Sequence, residues 1–361
     1  MTMIKNYFLK SILGLLLGTA SLSLIAQPTI PADSANYEIG VDTKVNVISN
    51  ASSFSTGGSG ASQVWDFSGL AAGTERNMTV EAVVTGGLNP DPVSAAVKLV
   101  IEGAIIDDVY YYDPSSSGLG YAGISWGVNV LNYAGEGAQQ WEYPITYQST
   151  QTYNVAKTYT TGFGPTAVDH KIAGTVSYEV DAYGRVKMPY GDVYDVMRIK
   201  ISEMVTDTAD VPIVGEQVFN YDNVMYEWRT ISNRHFILRY DRKSESSTTT
   251  RTLYYQVGDS VNSGTQPSSV EMLMPKLPEF MVSPNPAQDM VSVSVELKNA
   301  ESLYNLRLMD LNGRTVKEFG IHNEGQKTFL ETFDLSDIPA GNYILNLNTD
   351  QRNLHKRIVV Q

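Results

Sequence analysis

Val176-Ser177-Tyr178-Glu179-Val180 sets apolar and polar side chains at alternate positions, the period of two that a pleated strand shows when one face is buried. Met197-Arg198-Ile199-Lys200-Ile201 repeats the pattern, with Arg198 and Lys200 turned away from the apolar face. Val224-Met225-Tyr226-Glu227-Trp228 and Phe236-Ile237-Leu238-Arg239-Tyr240 read as two further strands, with Asn233 in the short connection between them. Around them lie turn clusters, among them Thr56-Gly57-Gly58-Ser59-Gly60, Asn89-Pro90-Asp91-Pro92 and Pro189-Tyr190-Gly191. No long apolar stripe of helical period interrupts the series. The 22 tyrosines fit the same reading, since aromatic side chains suit a half-buried pleated surface. The chain is expected to be all-β, with residues 28–258 a large sandwich-like region or an elaborated barrel.

Residues 259–279 break the pattern. They are rich in Ser, Asn, Gly and Pro and lack alternation until Met272-Leu273-Met274, which reads as a linker. Alternation resumes at Val291, Val293 and Val295 and recurs around Leu306 and Leu308, then Leu345 and Leu347. Asn312-Gly313 is a hairpin-turn dipeptide between two such runs. Residues 280–361 are therefore expected to form a small, Ig-like β-sandwich.

Four stretches of this tail appear in a recognisable order: Ser283-Pro284-Asn285-Pro286-Ala287; Met309-Asp310-Leu311-Asn312-Gly313-Arg314-Thr315-Val316; Asp334-Leu335-Ser336 with Pro339-Ala340-Gly341-Asn342-Tyr343-Ile344-Leu345; and Lys356-Arg357-Ile358-Val359-Val360. Together they resemble the C-terminal sorting domain of type IX secretion cargo, found in one phylum of Gram-negative bacteria. The resemblance singles out Pro284, Asn285, Pro286, Gly313, Gly341, Tyr343, Lys356 and Arg357 as the sorting motif. Asp350-Gln351-Arg352 stands where the family has a glycine turn. The resemblance implies Sec export followed by delivery to the outer cell surface or medium. Its implied partners are the type IX machinery and its sorting-domain peptidase. The middle region is similar to a β-rich module of other secreted proteins from that phylum, through Val64-Trp65-Asp66-Phe67-Ser68-Gly69-Leu70, Asp181-Ala182-Tyr183-Gly184, Pro189-Tyr190-Gly191, Met197-Arg198-Ile199-Lys200 and Tyr226-Glu227-Trp228. That similarity carries no activity with it.

The start of the chain agrees with export. Lys5 and Lys10 precede an apolar run over residues 12–25, and Ala26-Gln27 offers a small residue for cleavage, the layout of a signal peptide over residues 1–27. A membrane anchor is the competing reading. The run is shorter than the ~20 residues a spanning helix needs and holds Gly14, Gly18, Thr19, Ser21 and Ser23. No other stretch approaches spanning length, so no integral membrane segment is expected. The formal net charge of −13 argues against binding to nucleic acid. The absence of cysteine removes disulfides, thiolate metal sites, a cysteine nucleophile and a thiol-linked lipid anchor together.

Chemistry is sparse. Between leader and linker the only histidines are His170 and His235, without zinc-ligand spacing. No catalytic residue, metal or other cofactor is assigned. Glu142, Glu179 and Glu227 are the carboxylates from which a glycosidase pair, about 5–10 Å apart, could be drawn. The ordinary reading of Glu227 is an outward-facing strand residue between two core aromatics. Asp107-Asp108 could begin a cation site or a sugar platform. Beside them, Tyr110-Tyr111-Tyr112 should turn at least one ring to solvent, which makes Tyr111 and Tyr112 the candidate ligand-stacking residues. Asp33-Ser34-Ala35, Asp207-Thr208-Ala209 and Asp259-Ser260-Val261 resemble short O-glycosylation acceptors and are expected in loops. A non-enzymatic binding or structural role, with a glycan or surface partner, is the leading expectation for residues 28–258. A secreted hydrolase using a carboxylate pair is the alternative.

Overall fold

The computed structural model describes residues 29–86, 91–127, 129–162, 164–231, 233–258, 279–297, 303–321, 328–349 and 353–361. The expected leader and nearly all of the expected linker lie outside them, as does Asp259-Ser260-Val261. The described chain is all-β apart from a four-residue helix, Ala32–Ala35, and one short 3-10 turn. Among the described residues, no helix is long and apolar enough to cross a membrane.

The first region contains β1 (Thr29–Ile30), β2 (Thr43–Ser49), β3 (Gly60–Asp66), β4 (Thr74–Ala82), β5 (Val97–Ile101), β6 (Asp108–Pro114), β7 (Gly118–Trp126), β8 (Asn129–Asn132), β9 (Gln139–Glu142), β10 (Ile145–Thr146), β11 (Thr150–Thr161), β12 (Val168–Lys187), β13 (Val193–Val211), β14 (Gly215–Arg229), β15 (Phe236–Glu245) and β16 (Thr248–Gln256). β1 pairs only with β10. The other strands form one sheet of 14, not the two separate sheets of a sandwich. It consists of two antiparallel meanders, β11 to β16 and β4 to β8, joined where β2 lies between β16 and β4.

The sheet curls until its inner face packs on itself. Ile172, Val176, Ile199 and Ile201 of one meander share a core with Leu99, Tyr110, Tyr112 and Ile124 of the other. Side chains also join the two outermost strands: Tyr159 on β11 donates to the Val130 carbonyl on β8 at 2.6 Å, and Lys157 to Asn132 Oδ1 at 3.1 Å. A second apolar cluster covers part of the outer face, where β3 lies parallel to β12 and brings Trp65 and Phe67 against Trp228.

The C-terminal region contains β17 (Phe280–Ser283), β18 (Met290–Glu296), β19 (Leu303–Met309), β20 (Thr315–Phe319), β21 (Thr328–Asp334), β22 (Gly341–Thr349) and β23 (Asn353–Val360). They form two sheets, ordered β17-β18-β21 and β20-β19-β22-β23. A core of its own separates them, built from Val291, Val293, Val295, Leu306, Leu308, Leu345, Leu347 and Ile358 among others. The expected small β-sandwich is present.

Candidate functional site

Part of the sorting motif meets at the terminal strand. Asn285 brackets β23 with both ends of its amide: Nδ2 donates to the Arg357 carbonyl at 3.0 Å, and Oδ1 accepts from the Val359 N–H at 2.9 Å. Ala287 continues the clasp, donating to Val359 O and accepting from the Gln361 N–H. Pro284 and Pro286 flank Asn285 and cannot donate backbone hydrogen bonds, which leaves the side chain to make the pairing. Gly313 sits at φ +82° in the β19–β20 turn, a left-handed conformation that glycine adopts without strain. In that turn the backbone N–H groups of Arg314 and Asn312 hold Asp310 below its usual carboxylate range. Tyr343 donates to the Pro339 carbonyl at 2.8 Å, and a side chain at Gly341 would press on the Tyr343 ring. Lys356 and Arg357 are exposed on edge strand β23, where Arg357 donates to Asn342 Oδ1 at 2.8 Å.

The candidates in the first region fare differently. Tyr110, Tyr111 and Tyr112 are all buried, at most 1% exposed, so the expectation of a solvent-facing ring is corrected. Tyr110 and Tyr112 point into the curled core, while Tyr111 lies under the segment around Val93 with its hydroxyl 3.4 Å from Asp91 Oδ1. Tyr110 donates to Asp241 at 2.6 Å, and burial raises its pKa well above the ordinary phenol value.

Glu227 is likewise not on the surface. It is fully buried on the inner face, with Arg229 at 3.0 Å and Arg239 at 2.9 Å, and Gln140 donates to it at 3.2 Å. Arg239 also pairs with Asp241 at 2.7 Å. The neighbouring aromatics, Tyr226 and Trp228, face the outer cluster around β3. Glu142 and Glu179 are exposed. Asp108 pairs with Lys243 at 3.0 Å and accepts from Tyr254 at 2.6 Å. Its burial works against ionisation, yet these partners hold its pKa below the ordinary value. Among the described residues, no group of three or more His, Cys, Asp or Glu side chains is placed to hold a metal. The expected glycosylation loops are corrected too: Ser34 is buried in the short helix, and Asp207-Thr208-Ala209 lies within β13.

Two arrangements emerge that sequence reading missed, because their members sit on different strands. His170 Nδ1 lies 2.8 Å from Asp207 Oδ2 on β13, and Nε2 lies 2.9 Å from Thr161 Oγ1 on β11, with the ring stacked on Tyr159. Beside it, the far ends of β11 to β14 form an open groove of about 500 Å³, lined by Thr158, Thr160, Asp169, Lys171, Thr208, Asp210 and Glu216 together with Tyr159 and His170. Register builds this lining, since Thr160 lies opposite Asp169, Asp169 opposite Asp210, and Asp210 opposite Glu216.

Against known families, residues 281–361 match the secretion system C-terminal sorting domain. Comparison with curated proteins and with solved structures finds no match. The chain thus carries a type IX sorting domain, which directs it through that secretion machinery to the cell surface or beyond. None of the comparisons reaches residues 28–258.

Proposed function

We propose that this type IX cargo carries a non-enzymatic binding region whose ligand is a polyhydroxylated molecule of the glycan class, held in the groove at the far ends of β11 to β14. The observation that supports this reading is the groove's lining. Carboxylates of Asp169, Asp210 and Glu216 stand among the hydroxyls of Thr158, Thr160 and Thr208, with Lys171 as donor. Paired carboxylate oxygens accept from vicinal hydroxyls, and behind them Tyr159 is stacked on His170 with its hydroxyl on the Val130 carbonyl, which backs the groove without offering its ring. Residues 1–27 act as the Sec signal in this reading, and the sorting-domain peptidase removes the tail after export. The test is a glycan array probed with the leaderless chain, residues 28–361. Binding to one glycan class, weakened at least tenfold in Asp169→Asn/Asp210→Asn, supports the reading. Silence across the array from a folded protein removes it.

A second reading rests on the Thr161–His170–Asp207 chain, which has the hydrogen-bond order of nucleophile, base and orienting carboxylate. Of the carboxylates considered for a hydrolase pair, Glu227 is committed to two arginines. Esterase activity on a chromogenic acyl ester, abolished by both Thr161→Ala and His170→Ala, would favour it over the binding role. Activity that survives either change would dismiss it.

A further inference from the structure

The two sheets of the sorting domain differ in a way its own fold does not require. In β22 burial alternates along the strand, as expected when one face meets the core and the other meets solvent. In β18, every residue from Val291 to Val295 is buried, and all four residues of β17 are buried as well. The outward side chains of this sheet, Met281, Ser283, Ser294 and Leu330, are therefore covered by something outside the sandwich. The cover is the first region, at β3 and the adjoining end of β12.

Apolar and polar contacts agree on that placement. Met281 and Leu330 form one buried cluster with Val64, flanked by Tyr183 and Val193. Ser283 Oγ donates to Gln63 Oε1 at 2.9 Å, and Lys187 Nζ to the Leu330 carbonyl at 2.9 Å. Arg185, only 2% exposed, reaches from β12 to Glu296 while also holding Asp195. The docking face exists only in folded cargo, because β3 and β12 meet through parallel pairing of segments far apart in sequence.

We propose that this face is a latch for the chain's own sorting domain, closed while the connecting segment is intact and open once that segment is cut. The inference goes beyond the groove reading and does not depend on it. Only three buried apolar side chains, Val64, Met281 and Leu330, form the centre of the latch, and the carboxylates that meet Arg185 keep 41% and 44% of their surface in water. With so small an apolar centre, the latch as proposed is weak between separate molecules. A tether of the length of residues 259–279 raises the effective concentration of the two faces to the order of millimolar, which closes it. Cutting the tether removes that advantage. The sorting domain then leaves, and Val64, Tyr183, Val193 and Lys187 become exposed beside the Arg185–Asp195 pair.

The test exploits the absence of native cysteine. A mature chain with Gln63→Cys and Ser283→Cys, plus a site-specific protease sequence between residues 260 and 278, is oxidised before or after cutting. The expected result is rapid disulfide formation in the uncut chain and at least a tenfold slower rate after cutting at micromolar protein, with the two pieces separating on gel filtration. Leu330→Asp should slow the uncut reaction in the same way. Pieces that stay together at nanomolar concentration overturn the tether dependence. An uncut chain that cross-links no faster than one carrying a cysteine pair on distant faces overturns the latch.

Discussion

The cargo region and the sorting domain both close a β core, but they fill it with different chemistry. The cargo interior buries Glu203, Glu227, Arg229, Arg239 and Asp241. Among the described residues of the sorting domain, the buried polar side chains are three serines and a threonine, with no charge. Size accounts for the contrast. A domain of about 80 residues buries a smaller share of its surface and has little stability in reserve to offset desolvated charge. A curled sheet of 14 strands has the reserve. Its paired arginines and carboxylates are also satisfied in only one register of β14 against β15, so they specify that register more than they strengthen the fold.

The sharpest break of this comparison is Glu227→Ala, which leaves two buried guanidinium groups without their shared carboxylate. It should cost about 3–5 kcal/mol. All four tryptophans, Trp65, Trp126, Trp141 and Trp228, lie in the cargo region. Urea unfolding followed by tryptophan fluorescence therefore reads that loss directly. Leu308→Ala is the counterpart in the sorting domain, removing a fully buried side chain from an apolar core, at a cost of about 2–5 kcal/mol. Amide exchange in β22 and β23 should accelerate while the tryptophan transition stays in place. A shift of that transition by the full amount would show that the two cores unfold as one.

His235 sharpens the contrast through pH. Burial first, with help from Arg229 and Arg234 and against a hydrogen bond to the Val41 carbonyl, lowers its pKa to about 4. The unfolded chain, with an ordinary value near 6.5, binds a proton that the folded one refuses. Stability from this group is thus complete above about pH 6.5 and falls as pH drops toward 4, by roughly 3 kcal/mol in total. Chemical denaturation at a series of pH values should show that extra acid loss in the native chain and not in His235→Gln. Equal losses in both would remove His235 as the cause. The smallest effect is Asn285→Ala, which deletes both clasps on β23 and should cost about 1–2 kcal/mol. Faster exchange confined to the Val359 amide is the expected signature, and an unchanged rate would deny the clasp its role.

Alternation made the strands legible, and four ordered motifs made the sorting domain legible. Alternation was a poorer guide to what lies over each face. Strand geometry turns one of the three tyrosines away from the inner core: Tyr110 and Tyr112 point in, and the one turned away is Tyr111. The segment around Val93 folds across it there. Alternation turns Glu227 outward from its aromatic neighbours, yet those aromatics serve a second cluster under β3 and the carboxylate faces in. The groove was invisible because Asp169, Asp210 and Glu216 become neighbours only through the pairing of three strands. Asn285 is legible in its motif, but its grip on the Val359 amide requires the terminal strand to be in place.

By itself the sequence determined the all-β class, the strand periods and the identity of the export domain, since each depends on residues close together along the chain. Tertiary structure alone decided that the large region is one curled sheet, that a network of charges lies inside it, and that β17, β18 and β21 lie against β3. These features arise from surfaces meeting across long stretches of sequence, and a period of two says which way a side chain points without saying what it meets.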